Sequence, residues 1–120
     1  MYEKAKFFKD MDAMELIKKT PAPSEVKKLG RLIKNYNDDE WSKVRFDAMA
    51  KVNRQKFSQN YYYNQTLKLT KDKILVEASA TDKIWGIGLG IDSDLIFNPS
   101  NWTGQNLLGK ALMTVRNLID

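Results

Sequence analysis

Apolar residues recur at helical spacing along the first part of the chain, in the stretches YEKAKFFKD, AMELIKKT and EVKKLGRLIK. Asp12, with Glu15 three positions later, has the spacing of a capping box and predicts the start of the second helix. Ser24 is expected to cap the third helix, in which Leu29 and Ile33 lie on one face. The intervening TPAPS cannot continue a helix, because its prolines lack amide donors. The pattern therefore predicts three short helices joined by turns.

Two longer apolar patterns, WSKVRFDAMAKVNRQKF and GQNLLGKALMTVRNLID, predict further helices. Asn37 and Glu40 repeat the capping-box spacing before the first of them, and Trp41 is expected to anchor that helix in the core. The last helix is apolar over much of its surface, which is typical of a helix at the centre of a core. Between the two, KILVEAS is predicted to be a strand, because residues 74–76 are apolar and lie between turn-prone residues.

The composition narrows the chemistry that is open to the chain. It has neither cysteine nor histidine, which excludes disulfides, thiolate nucleophiles and the commonest general base and metal ligand. We expect no metal and no cofactor, and any catalysis must use carboxylates, amides, hydroxyls, lysines or backbone. The net charge of +5 favours anionic ligands such as phosphates, but it is too small to predict nucleic-acid binding as the main role.

No stretch approaches the roughly 18 to 20 consecutive apolar residues that a bilayer span requires. The first residues are charged and do not resemble a signal peptide. These features predict a cytoplasmic protein that does not bind membranes. The length of 120 residues fits one domain.

The segment TDKIWGIGLG has the most unusual local composition in the chain. Its glycines, Gly86, Gly88 and Gly90, do not have the spacing of a dinucleotide-binding loop, but they allow close approach of the backbone to a flat ligand or to another chain segment. Asp82 precedes Trp85 by three positions, so the pair could hold and activate a water beside a stacked base or sugar. Equally, Asp82 could cap a turn while Trp85 fills the core.

Four blocks resemble the NADAR family, which is named for its link to NAD and ADP-ribose metabolism: PSEVKKLGR, WSKVRFDAMAKVNRQKF, LVEASATDKIWGIGL and NWTGQNLLGKALMTVR. The D-x-x-W-G-x-G and W-x-G-x-N-x-L-G patterns carry most of the resemblance. It implies an α+β fold that is mainly helical, a single domain over residues 1–120 with a small β element. It also implies an N-glycosidase that hydrolyses a ribosyl C–N bond, in an early riboflavin-biosynthesis intermediate or in ADP-ribosylated guanine.

The resemblance also implies a set of site residues. Asp82 would be the catalytic carboxylate, in contact with sugar or water. The substrate-binding or pocket-supporting residues would be Lys4, Arg31, Trp41, Lys56, Trp85, Gly86, Gly88 and Asn106. Asn106 has a second interpretation, since the same residue could simply begin the last helix. The ligand would carry a phosphoribosyl or ADP-ribosyl group.

This chain departs from the family pattern in one feature. Alignment on Lys4 places the family's catalytic glutamate just before Met1, and Glu3 would face another direction on a helix. The chain is therefore expected to be truncated at its N-terminus relative to the family, and to form a homo-oligomer or pair with a complementing N-terminal chain. Two hypotheses follow from the sequence: an N-glycosidase that uses Asp82, and a catalytically silent module for ligand binding or protein interaction.

Overall fold

The computed structural model describes residues 1–120 and contains six α-helices, two short 3-10 helices and no β-strand. The helices are α1 (Tyr2–Phe7), α2 (Met11–Lys19), α3 (Pro23–Gly30), α4 (Asp38–Gln59), α5 (Tyr61–Leu69) and α6 (Leu107–Leu118), and the 3-10 helices are Asp94–Phe97 and Pro99–Asn101. The chain divides into two compact units, Met1–Ala48 and Met49–Asp120. Helix α4 contributes residues to both. None of the helices combines the length and the apolar surface that are needed to cross a membrane.

The first unit is built around an apolar cluster contributed by α1, α2 and the turn after α3. Its buried members are Ala5, Phe8, Met14, Ile17 and Ile33, and Tyr2, Ala13, Val26, Leu29 and Trp41 pack against them. The prediction that α3 extends through Ile33 is wrong, because that helix ends at Gly30. Ile33 nevertheless fills the core from the following turn.

Two of the three N-terminal caps predicted for helices of this unit are wrong. The cap of α2 is Asp10 and not Asp12, since the Asp10 Oδ1 accepts a hydrogen bond from the Ala13 amide at 3.0 Å. Helix α3 begins at Pro23, which needs no amide partner at the first helical position, so Ser24 lies inside the helix. The predicted cap of α4 is confirmed, because the Asn37 Oδ1 accepts from the Glu40 amide at 3.0 Å.

In the second unit, α5 packs against α6. Ala111 and Val115 of α6 are completely buried, which confirms that this helix is central to the core of its unit. Burying a side chain the size of Val115 contributes roughly 1.5 to 3 kcal/mol. Arg116 ties the same helix to the turn after α5, since its Nη1 donates to the Thr70 Oγ1 at 2.9 Å and to the Lys73 carbonyl at 2.8 Å.

The predicted small β element is wrong, and with it the assignment to the α+β class; the chain is helical with long irregular segments. KILVEAS runs without a partner strand, and Ile74 is 64% exposed. A side chain takes the place of the missing strand: the Asn106 amide donates to the Leu75 carbonyl and accepts from the Glu77 amide, both at 3.0 Å. The Glu77 carbonyl then accepts from the Ile87 amide at 3.0 Å. Apolar composition favoured a strand, but no second strand pairs with this segment.

Candidate functional site

The residues that the sequence marks as site residues occur in both units. Lys4, Arg31 and Trp41 belong to the first unit, and Lys56, Asp82, Trp85, Gly86, Gly88 and Asn106 belong to the second. Each set is described within its own unit.

Lys4 is held in a fixed position in the first unit. Its Nζ donates a hydrogen bond to the Gly30 carbonyl at 2.8 Å and lies 4.3 Å from the centre of the Tyr36 ring. Partial burial lowers the pKa of the Lys4 ammonium, while the negative charge of Asp38 acts in the opposite direction. Lys4 is therefore a partly desolvated cation whose position is fixed by a carbonyl oxygen and an aromatic face.

Tyr36 and Asp38 also belong to this arrangement, although the sequence did not mark them as site residues. The Tyr36 hydroxyl donates to the Asp38 Oδ1 at 2.7 Å, and this hydrogen bond raises the pKa of Tyr36. The only local signal is a tyrosine two positions before a helix-starting aspartate. Their proximity to Lys4 depends on tertiary packing, which a linear pattern does not reveal.

Trp41 lies in the first turns of α4 and packs into the aromatic part of the core. Its ring centre is 5.8 Å from that of Phe7 and 6.3 Å from that of Phe8. Phe8 also contacts the ring of Tyr36, at 5.3 Å between centres. Trp41 is half-buried and acts as the core anchor that the sequence predicts, while Arg31 is exposed at the end of α3.

The sequence did not mark Arg45 as a site residue either. It follows Trp41 by one helical turn on α4, so both side chains lie on the same side of that helix. Its Nε is buried and makes no hydrogen bond. A buried guanidinium donor without a partner is uncommon, and each such group calls for a physical explanation.

In the second unit, Asp82 organises a tight turn. Its Oδ1 accepts hydrogen bonds from the Ile84 amide at 3.0 Å and from the Trp85 amide at 2.8 Å. The Asp82 amide itself donates to the Ser79 Oγ at 3.1 Å. One carboxylate oxygen is therefore committed to the backbone, as the turn-capping interpretation predicts, and Oδ2 takes no part in these hydrogen bonds. Asp82 and Trp85 are both half-buried.

Gly86 and Gly88 bring the backbone of this turn close to other chain segments. A Cβ on Gly86 would lie 2.6 Å from the Asp82 carbonyl oxygen. Gly88 has a φ of 75°, and a Cβ there would clash with the Thr103 Oγ1. Of the two uses that the sequence allows for these glycines, the structure shows close approach to neighbouring chain.

Asn106 adopts a left-handed conformation with φ of 53° and is 2% exposed. Its side-chain amide is used to hold Leu75 and Glu77, and its backbone amide donates to the Gly86 carbonyl at 3.0 Å. The structure thus places Asn106 at the start of α6, where it joins three chain segments. This is the second of the two interpretations that the sequence left open for this residue.

Lys56 lies on the exposed surface of α4 in the second unit. Its Nζ is 5.1 Å from the centre of the Tyr63 ring and 5.8 Å from that of Phe57. These are the separations of a surface cation–π contact. Within the second unit, Lys56 is associated with α5, whereas Asp82, Trp85, Gly86, Gly88 and Asn106 lie together in the segment before α6.

Comparison with known proteins gives a consistent result. The model of the NADAR domain matches residues 1–120. N-glycosidase R617 of Acanthamoeba polyphaga mimivirus is 42% identical over 116 residues, covering 97% of this chain and 68% of its own. Protein irg-1 of Caenorhabditis elegans is 42% identical over 118 residues, covering 97% and 56%. Riboflavin biosynthesis protein VVA0006 of Vibrio vulnificus is 29% identical over 115 residues, covering 96% and 28%. The chain thus spans only part of each relative.

Proposed function

Because the chain belongs to the NADAR domain family, we propose that it hydrolyses a ribosyl C–N bond. The observation that carries this proposal is the match of the family over residues 1–120, together with 42% identity to a viral relative named as an N-glycosidase. The resemblance drawn from the sequence blocks is thereby confirmed. Activity and substrate are proposals for this chain, because it spans part of the relative's length.

Hydrolysis of a ribosyl C–N bond needs particular chemical groups, and one of the described residues can supply such a group. Cleavage of the C–N bond builds positive charge on the ribose ring, and a nearby carboxylate stabilises this charge or removes a proton from the attacking water. The bonding electron pair leaves with the base nitrogen, which takes up a proton. We assign the carboxylate role to Asp82, because one of its oxygens is fixed by two backbone amides while Oδ2 has no partner.

Within the first unit, we expect Lys4 to be the group that attracts an anionic ligand. Lys4 is a partly buried cation whose position is set by the Gly30 carbonyl and the Tyr36 ring. The net charge of +5 favours phosphorylated substrates in the same way. Two substrates fit this description: a ribosylaminopyrimidine phosphate of the riboflavin pathway, and ADP-ribosylated guanine.

The test is product formation from each of these two substrates, followed by chromatography of the released base and sugar. Asp82→Asn is the decisive variant, since an asparagine Oδ1 can still accept from the Ile84 and Trp85 amides while the negative charge is lost. We expect the variant to lose turnover by about 100-fold or more and to keep the wild-type melting temperature. Turnover that survives in Asp82→Asn would remove Asp82 from the mechanism.

A catalytically silent binding module is the competing outcome of the same experiment. Saturable binding of ADP-ribose without any product would support it. Fusing an N-terminal extension that carries the family glutamate, with a glutamine version as the matched control, then asks whether that glutamate raises turnover. Activity in the glutamate fusion alone would show that the carboxylates of the 120-residue chain do not suffice. The predicted oligomer and the complementing chain would be examined in parallel by light scattering.

A further inference from the structure

The first unit contains a buried side-chain donor that the proposed reaction has not used, the Nε of Arg45. The residue as a whole is only half-buried, so part of its guanidinium reaches the surface while Nε does not. An arginine retains its positive charge under all ordinary conditions. Burying part of that charge without a hydrogen-bond acceptor is unfavourable, and an anionic ligand on the terminal nitrogens that do reach the surface would offset this cost.

The surroundings of Arg45 show which kind of acceptor would fit. Arg45 lies on the Trp41 side of α4, and the Phe8 ring contacts the rings of both Trp41 and Tyr36. The positive charge of Arg45 also acts on the Tyr36 hydroxyl, although the hydrogen bond to Asp38 has the larger effect and raises the pKa of that group. The face of the same Tyr36 ring carries the ammonium of Lys4. Lys4 therefore contacts this ring directly, and Arg45 lies one helical turn after Trp41, whose ring packs against the same Phe8.

Among the nearby carboxylates, Asp38 offsets part of the positive charge of this group, since its negative charge acts on Lys4. Asp38 uses its Oδ1 to accept the hydrogen bond from Tyr36. Asp39 and Glu40, in the same first turn of α4, are exposed, and no hydrogen bond or ion pair joins either side chain to Lys4 or Arg45. The group thus has an excess of positive charge and a donor in need of an acceptor, which together favour an anion.

We propose that Arg45 binds a phosphate group of the ribosyl ligand through the edge formed by its two terminal nitrogens, with Lys4 as a second cation. That edge presents two parallel N–H donors, and this geometry matches two oxygens of a phosphate. A lysine supplies a point charge and does not offer the same fork. The identity of the ligand as a ribosyl compound rests on the proposed function, whereas recognition of its phosphate rests on the first unit alone.

The test uses ribose 5-phosphate as the probe and unphosphorylated ribose as its matched ligand, with binding measured by calorimetry on the full chain. We expect ribose 5-phosphate to bind and ribose to bind at least tenfold more weakly. Arg45→Gln should reduce the affinity for ribose 5-phosphate by at least tenfold and leave the affinity for ribose unchanged. Arg45→Lys should give an intermediate affinity, because the charge is kept and the two-donor edge is lost.

Arg54→Gln is the control, since Arg54 is an exposed arginine of the same helix outside the first unit, and its affinity should equal that of the wild type. Inorganic phosphate is tested as a competitor, to separate recognition of phosphate alone from recognition of the sugar phosphate. Competition by phosphate in the wild type and none in Arg45→Gln would place the recognition at the phosphate group. Equal affinities of the wild type and Arg45→Gln would overturn the proposal, as would equal affinities of the wild type for ribose and ribose 5-phosphate.

Stability and turnover distinguish the remaining explanations. Because Nε has no partner in the chain, we expect Arg45→Gln to fold with a melting temperature at or above that of the wild type. If that variant fails to fold, the Arg45→Lys affinity decides in its place. Binding of ribose 5-phosphate without any glycosidase activity would leave this inference standing while the proposed function fails. If Arg45→Gln turns over substrate with an unchanged KM, the proposed function stands and the role of Arg45 in phosphate binding fails.

Discussion

The first unit and the segment that precedes α6 in the second unit reach their order by different means. In the first unit, apolar side chains from α1, α2 and the turn after α3 form the core, and polar groups at its edge retain bonding capacity, as Arg45 does. In the segment before α6, order comes from hydrogen bonds between backbone groups. The amides of Asn106, Leu107 and Leu108 donate to carbonyls of residues 84–86 at 3.0 to 3.1 Å.

This difference changes how the unusual composition of TDKIWGIGLG should be interpreted. The Asp82 Oδ1 closes a turn, and Gly86 and Gly88 allow close approach of the backbone, so most of this composition meets demands of the chain itself, while the Asp82 Oδ2 is not used by the turn. By contrast, Tyr36 and Arg45 lie in stretches with no unusual composition and still have chemistry to offer a ligand. Local composition marks positions where the backbone is constrained, whereas a binding group needs donors or acceptors that the fold has left unused.

The largest effect should come from Asn106→Ala, which removes the hydrogen-bond partners of Leu75 and Glu77 and leaves an alanine in a left-handed conformation. We expect the free energy of unfolding to fall by on the order of 3 kcal/mol, as measured by urea denaturation. Asn106→Asp keeps the acceptor for Glu77 but places a buried carboxylate against the Leu75 carbonyl oxygen, so we expect a loss of similar size. An alanine variant that unfolds at the wild-type midpoint would contradict the view that this amide replaces a missing strand.

A smaller effect should come from Gly88→Ala. Alanine at a φ of 75° is strained, and its Cβ would also clash with the Thr103 Oγ1. We expect a loss of about 1 to 2 kcal/mol in the free energy of unfolding. Gly90→Ala is the matched control, because the nearest atom to its Cβ would be the Ala80 Cβ at an ordinary 3.8 Å. Equal losses in the two variants would show that backbone geometry at Gly88 does not limit the segment.

Much of the helical part of the fold can be predicted from the sequence, because apolar spacing and the Asn37 cap are local signals. The wrong prediction of a strand at residues 74–76 could not be avoided from the sequence, because strand pairing depends on partners far along the chain. The same limit applies to the site. Tyr36 and Arg45 become relevant only once Phe8 and Trp41 pack together.

The smallest effect concerns Asp10 in the first unit and depends on pH. Hydrogen bonds from the amides of Lys34, at 2.9 Å, and Ala13, at 3.0 Å, lower the pKa of Asp10 below its ordinary value of 3.8. Since the folded pKa is below the unfolded one, the unfolded chain binds more protons in this range. The contribution of Asp10 to stability is therefore complete above the unfolded pKa and is lost as the pH falls through the folded pKa.

We expect the melting temperature of Asp10→Asn to lie a few degrees below that of the wild type at pH 7 and the difference to shrink as the pH falls below 4. Calorimetry at a series of pH values measures this. Asp12→Asn is the control, because the Asp12 side chain is 94% exposed and its only ion pair is a 3.9 Å contact with Lys34. A constant difference between Asp10→Asn and the wild type across the series would show that the carboxylate charge of Asp10 is not what stabilises this turn.

The hydrogen bonds at the start of α6 have a consequence for local unfolding of the second unit. Its first amides are satisfied by carbonyls of residues 84–86, so this helix end and that segment complete each other. Opening the segment would leave the first turn of the helix without acceptors, and unwinding that turn would release the segment. In hydrogen-exchange terms, Leu107 and Leu108 should gain and lose protection together with Ile87, as one cooperative unit that is distant in sequence and continuous in space.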